Sequence, residues 1–181
     1  MPLVVEVKLT GVEKLTKSQI NRALKAANFG TGVYFRRNML PDRFTVKGGR
    51  RLGYTRRSGE TDIGYVRNGS GRNKHTYAAR KERHIGHNRP LELTGQGKRE
   101  ALATPQKVRV TRDKIVIPLP RKYNLRNPKS KVRMGDEIRK VTPREAKQLE
   151  KRLTELIEIN LNKVAGVRHK RRVESATITN L

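Results

Sequence analysis

One stretch near the C-terminal end limits what this chain can fold into more than any other. Thr142 is followed by Pro143 and, three residues after the threonine, by Glu145. That order supplies a hydroxyl cap, a proline at the first helical position, and a carboxylate that can reach back to the cap. Leu149, Leu153, Leu156, Ile157, Leu161 and Val164 then recur at helical spacing, and Gly166 stands where the helix would close. The pattern predicts a helix over 143–164 with one apolar stripe that must be covered. The cover nearest to hand is the chain's own core, with an oligomer contact as the alternative.

Elements able to supply that core lie far away in sequence. Leu3 to Leu9 alternates, with Val5, Val7 and Leu9 on one side and Glu6 and Lys8 on the other, which predicts a short strand. Residues 16–40 read as a helix in which Ile20, Ala23, Leu24, Ala27 and Tyr34 keep register until Pro41. Gly30 and Gly32 interrupt it, which points to a kink or a close crossing. Residues 107–118 read as a hairpin turning at Arg112 and Asp113, and 137–141 as a short strand or helical turn.

Between these elements lies a different kind of sequence. Residues 42–89 hold repeated glycines, basic residues throughout, and no sustained period. A stretch of that length without regular structure is rare inside a compact domain. It is therefore expected to be a flexible arm, disordered alone or ordered on a partner. From Lys47 to Arg89 it carries twelve Lys or Arg against Glu60, Asp62 and Glu82. The whole chain has 43 Lys and Arg against 16 Asp and Glu, a formal net charge of +27. Solubility needs far less, and such a surface attracts polyanions or acidic protein faces.

Several kinds of chemistry find no support. There is no cysteine, so disulfides, thiolate catalysis and Cys-based zinc sites are excluded. His75, His84 and His87 gather in the arm, but the nearest acid, Glu82, sits among Arg80, Lys81 and Arg83, which disfavours a dication. The glycines do not follow the spacing of a phosphate-binding loop. Ser58, Thr61 and Ser70 have no evident His and Asp partners. We expect no catalytic residue, no metal and no cofactor. Apolar runs are too short for a membrane span, and Met1 to Thr10 does not read as a signal peptide, so a protein made in the cytoplasm is expected.

The arm also interleaves cations with Phe44, Tyr54, Tyr65 and Tyr77. Such a mixture can neutralise phosphates and stack on bases, or anchor on an acidic protein surface. The candidate contact residues are Arg50, Arg51, Arg56, Arg57, Arg67, Arg72, Lys74, Arg80, Lys81 and Arg83. Protein docking is the preferred reading, with a passage for DNA second.

Three runs carry a family resemblance. Leu9-Thr10-Gly11-Val12-Glu13-Lys14-Leu15 leads into a helix containing Arg22-Ala23-Leu24-Lys25-Ala26-Ala27. The centre reads Arg89-Pro90-Leu91-Glu92-Leu93-Thr94-Gly95-Gln96-Gly97-Lys98-Arg99-Glu100-Ala101-Leu102, and Asp136 to Glu145 precedes the closing helix. The chain resembles the tail-completion or neck proteins of tailed bacteriophages, the group that includes minor tail protein Z and the head-tail joining proteins. It departs from their pattern at Gly97, where the family often has leucine. The resemblance implies an α+β fold, a small antiparallel sheet packed by a long N-terminal helix and a C-terminal helix; the arm over 42–89 is longer and more basic than the family's pattern, and its role does not carry over. The residues themselves read as one domain over 1–166 with the arm inserted at 42–89, and an extended basic tail over 167–181. The implied role is a non-catalytic virion protein, one subunit of a homo-oligomeric ring among other neck and tail subunits, made in the host cytoplasm. A ribosomal-type RNA-binding protein is the alternative, on the strength of charge and glycine-rich basic loops.

Overall fold

The computed structural model describes residues 2–10, 12–66, 75–103, 108–124, 131–165 and 173–180. In chain order the first elements are strand β1 (Pro2–Leu9), helix α1 (Lys17–Tyr34), a π-helical turn (Phe35–Met39), a 3₁₀ turn (Leu40–Phe44) and helix α2 (Val46–Arg51). Strands β2 (Glu60–Asp62) and β3 (Tyr65–Val66) and helices α3 (Tyr77–Ile85) and α4 (Gln96–Leu102) follow. Strands β4 (Arg109–Val110) and β5 (Lys114–Val116), a 3₁₀ turn (Arg121–Asn124), helices α5 (Met134–Arg139) and α6 (Pro143–Ala165), and strand β6 (Val173–Asn180) complete the chain. The fold is α+β. No helix among the described residues is long and apolar enough to cross a membrane.

The chain forms two compact units. The first comprises Met1–Arg37, Pro105–Pro118 and Val141–Leu181. It contains an antiparallel sheet in the order β4-β5-β1-β6, packed by α1 and α6. Leu3 and Val5 of β1, Ile115, Ile117 and Ile178 are buried with Ala23, Leu24 and Ala27 of α1. Leu149, Leu153, Ile157 and Leu161 of α6 are fully buried, while Leu156 is half-buried beside Gly30. The expected cap forms: the Thr142 amide donates to Glu145 Oε2 at 3.1 Å, and the Glu145 amide donates to Thr142 Oγ1 at 3.2 Å.

The two interrupting glycines mark close crossings. A Cβ on Gly30 would lie 2.8 Å from Leu156 Cδ1, and one on Gly32 would lie 2.6 Å from Val108 Cγ1. Asn28, fully buried on α1, donates through Nδ2 to the carbonyls of Thr111 and Arg112, each at 2.9 Å. Those bonds fix the roll of α1 against the β4–β5 turn.

Two expectations need correction here. The first concerns the tail. Residues 166–172 lie outside the described residues, but Val173–Asn180 is not a separate extension. It pairs antiparallel with β1, from Leu9↔Val173 to Leu3↔Asn180. Ala176 and Ile178 offer few apolar side chains, so the strand is held mainly by its backbone ladder, which composition does not reveal. On the far side of β6, the Ile178 amide donates to Glu150 Oε1 at 3.2 Å.

The second correction concerns the arm. Asn38–Thr104 and Leu119–Lys140 form the second unit, so most of 42–89 is folded structure and not an irregular insertion. Phe44, Leu52, Tyr54, Ile63 and Ala78 are buried with Leu91, Ala101, Tyr123 and Ile138. Its elements are too short to show a period. They are specified by local devices instead: Thr45 and Thr76 cap α2 and α3 through Gly48 and Ala79 amides. Gly59 and Gly64, at φ 90° and 76°, turn the chain on either side of β2. Gly97 also has a local reason. A side chain there would run into Lys122 and Tyr123.

Candidate functional site

The structure separates the candidate cations of the second unit into three groups. Arg67, Arg72 and Lys74 lie outside the described residues.

The first group points inward. Arg57 Nη2 pairs with Glu137 Oε2 at 2.5 Å, with both side chains at most 10 % exposed. Its Nη1 donates to the Thr55 carbonyl at 2.8 Å, and Glu137 Oε1 accepts from the Thr55 amide at 2.8 Å. Burial raises the Glu137 carboxyl above its ordinary range, and the Arg57 guanidinium pulls it partly back. Lys81 is buried on α3, and its Nζ donates to the Arg89 carbonyl. Arg57 and Lys81 are thus framework groups, contrary to their expected place among the contacts.

A second group is exposed but already paired. Arg50 binds Asp62 and lies 4.8 Å from the Tyr65 ring centroid. Arg51 pairs with Asp42 at 3.0 Å. Exposed pairs of this kind contribute little stability, yet they cancel charge locally.

The third group points outward. Arg56 is exposed and donates Nη1 to the Thr61 carbonyl at 3.0 Å. Arg80 and Arg83 are exposed on α3 with His84. Tyr77 lies on the same helical face as Arg80 and His84, at three- and four-residue steps. The aromatics divide in the same way. Phe44 and Tyr54 are buried, whereas Tyr65 and Tyr77 are 54 % and 47 % exposed.

Sequence reasoning missed the inward anchors. Arg43 is fully buried and donates to the Met39 and Lys140 carbonyls at 2.7 and 2.8 Å. Glu92, also buried, lies 3.5 Å from both Arg89 and Lys98 and 3.9 Å from His87. Burial first, then Arg89 and Lys81, hold the His87 imidazole below its ordinary value. Leu91, in the run that carries the resemblance, adopts φ 55°, and its carbonyl accepts from Tyr123 Oη at 3.2 Å. A signal was present for Arg43 alone: it sits directly before Phe44 and shortly after Leu40, in a run whose neighbours must be inside.

Lys81 makes the burial testable. Burial, followed by the Arg57 charge, lowers its ammonium from 10.5 to about 8. Between those values the unfolded chain holds a proton that the folded chain has released, so stability rises with pH across the window. Below pH 8 both states are charged and the burial penalty acts in full. Relative to Lys81→Met, the wild type is expected to gain on the order of 2 kcal/mol as pH rises through that window. Urea unfolding of both proteins at each pH reads the difference. A constant gap would place the ammonium in water.

No family model, curated protein or solved structure matches the chain.

Proposed function

We propose that the chain is a non-catalytic structural protein of a phage neck, completing the tail or joining head to tail as one subunit of a ring. The observation that carries this reading is how the second unit distributes its charge. Of its eight acids, Asp42, Asp62, Glu92 and Glu137 each pair with a cation of the same unit. Arg56, Arg80 and Arg83 are left outward, and Tyr65 and Tyr77 of the same unit are exposed. Arginine and tyrosine are the side chains that anchor protein interfaces, and uncancelled cations select an acidic partner. The resemblance of the opening strand and helix, the central Arg89–Leu102 run and the approach to α6 supplies the kind of assembly. The acidic faces would belong to neighbouring neck or tail subunits.

Arg56→Glu, Arg80→Glu and Arg83→Glu together change only outward side chains. Each reversed contact should cost about 1 kcal/mol or more, so joining should fall by on the order of a hundredfold. Electron microscopy of infected-cell lysates should then show separate heads and tails. Joined, infectious particles at the normal yield would sink this docking surface. Absence of the chain from purified virions, with co-sedimentation on ribosomal subunits, would replace the reading with an RNA-binding one.

A further inference from the structure

Among the described residues of the first unit, α1 carries a run of uncancelled positive charge. From Lys17 to Tyr34 the helix contains no Asp or Glu. Lys17, Ser18, Arg22 and Lys25 are exposed, and Phe29 closes the same face at 41 % exposure. Among the described residues, no carboxylate pairs with Lys17, Arg22 or Lys25, in contrast to Arg50, Arg51 and Arg57. Lys17, Ser18, Asn21, Arg22 and Lys25 line a shallow groove of about 500 Å³.

The face is rigidly presented. A capping box fixes the start of the helix: the Gln19 amide donates to Thr16 Oγ1 at 3.2 Å, and the Thr16 amide donates to Gln19 Oε1 at 2.9 Å. Asn28 ties the helix to the β4–β5 turn, and Ala23, Leu24 and Ala27 bury the inner face. The cations therefore stand on a positioned rod and not on a loop.

We propose that the outward face of α1 is a docking surface for duplex DNA, on which Lys17, Arg22 and Lys25 neutralise backbone phosphates. Composition decides between polyanions. Lysine is depleted in protein interface cores, which need aromatic or aliphatic anchors, and here only Phe29 at one end could serve. Lys, Arg, Ser and Asn are instead the common donors to phosphate oxygens. Geometry decides between nucleic acids. An α-helix fits the wide major groove of B-form DNA but is excluded from the deep, narrow one of A-form RNA. This inference is independent of which assembly the chain joins.

The test compares two triple variants of the full chain that remove the same charge: Lys17→Gln, Arg22→Gln, Lys25→Gln, and Arg56→Gln, Arg80→Gln, Arg83→Gln. Binding to a fluorescent DNA duplex of about twenty base pairs, one long enough to present two successive major-groove turns, is measured over a range of salt. Losing three phosphate contacts should lower the slope of log K against log salt by about 2.7 and weaken binding near 0.15 M salt by on the order of a hundredfold. The α3-side triple should bind within about threefold of wild type, since it removes only diffuse attraction. Circular dichroism confirms that both variants fold, as expected for exposed positions replaced by a good helix former. Equal loss in the two triples, or none in the first, overturns the proposal. So does an RNA duplex, or polyglutamate of equal charge, that binds the wild type as tightly as the DNA. An α1 triple that loses DNA but still joins heads to tails keeps this inference separate from the neck reading.

Discussion

Replacing Leu153 and Ile157 together by alanine is expected to unfold the first unit under ordinary conditions. Both side chains are fully buried in the middle of α6. Each truncation removes transfer energy and leaves a cavity, at about 2–5 kcal/mol per site. The positions are four residues apart on one helix face, so their costs will couple and not simply add. Even so, the loss approaches the whole of an ordinary domain's stability of about 5–15 kcal/mol. Urea denaturation followed by circular dichroism should show the midpoint collapsing for the pair and falling by a large fraction for either single variant. Ile159→Ala is the control. That residue is 57 % exposed on the same helix, and its loss should change stability by less than about 0.5 kcal/mol. An unchanged midpoint in the double variant would mean that the stripe faces something other than its own core.

Arg57→Ala should have the next largest effect. It strands the Glu137 carboxylate, already lifted by burial, without its cation. Breaking one side of a buried pair costs about 3–5 kcal/mol, well above the value of the intact pair. The penalty carries a sign in pH. Without Arg57 the folded pKa of Glu137 rises further above its unfolded value. The penalty is then present in full above that folded pKa and fades as pH falls below the unfolded one. The gap between Arg57→Ala and wild type should therefore narrow toward acid. Glu137→Gln in the same background should remove that pH dependence. A gap that stays constant from neutral to acid pH would show that the carboxylate is hydrated in the variant. The consequence for function is direct: reversing Arg57 in a docking test would unfold the second unit and mimic a lost interface.

Much of the first unit was legible from residues alone. The Thr142–Glu145 cap, the α6 stripe and the alternation of β1 all rest on side chains repeated at one period over several turns or pleats. Gly30 and Gly32 were readable as a crossing or a kink, but only packing distinguishes the two. Leu156 and Val108 occupy the space that a side chain there would need.

The second unit resisted the same reading because its elements last one to three turns. Periodicity needs length, whereas Thr45, Thr76 and the left-handed glycines act one residue at a time. The polar strand β6 was hidden for a related reason, since a backbone ladder leaves little trace in side-chain hydropathy. Charge was misjudged in a systematic way. A count of arginines cannot tell Arg43 and Arg57, whose guanidiniums satisfy buried carbonyls or a carboxylate, from Arg80 and Arg83, which face water. The long helices, the alternating strand and the excess of positive charge were readable along the chain, because each is a sum over many residues, while the α+β class was expected from the family resemblance. Which cations hold the fold and which face water emerged from packing alone, because that depends on where each carboxylate and carbonyl lies in space.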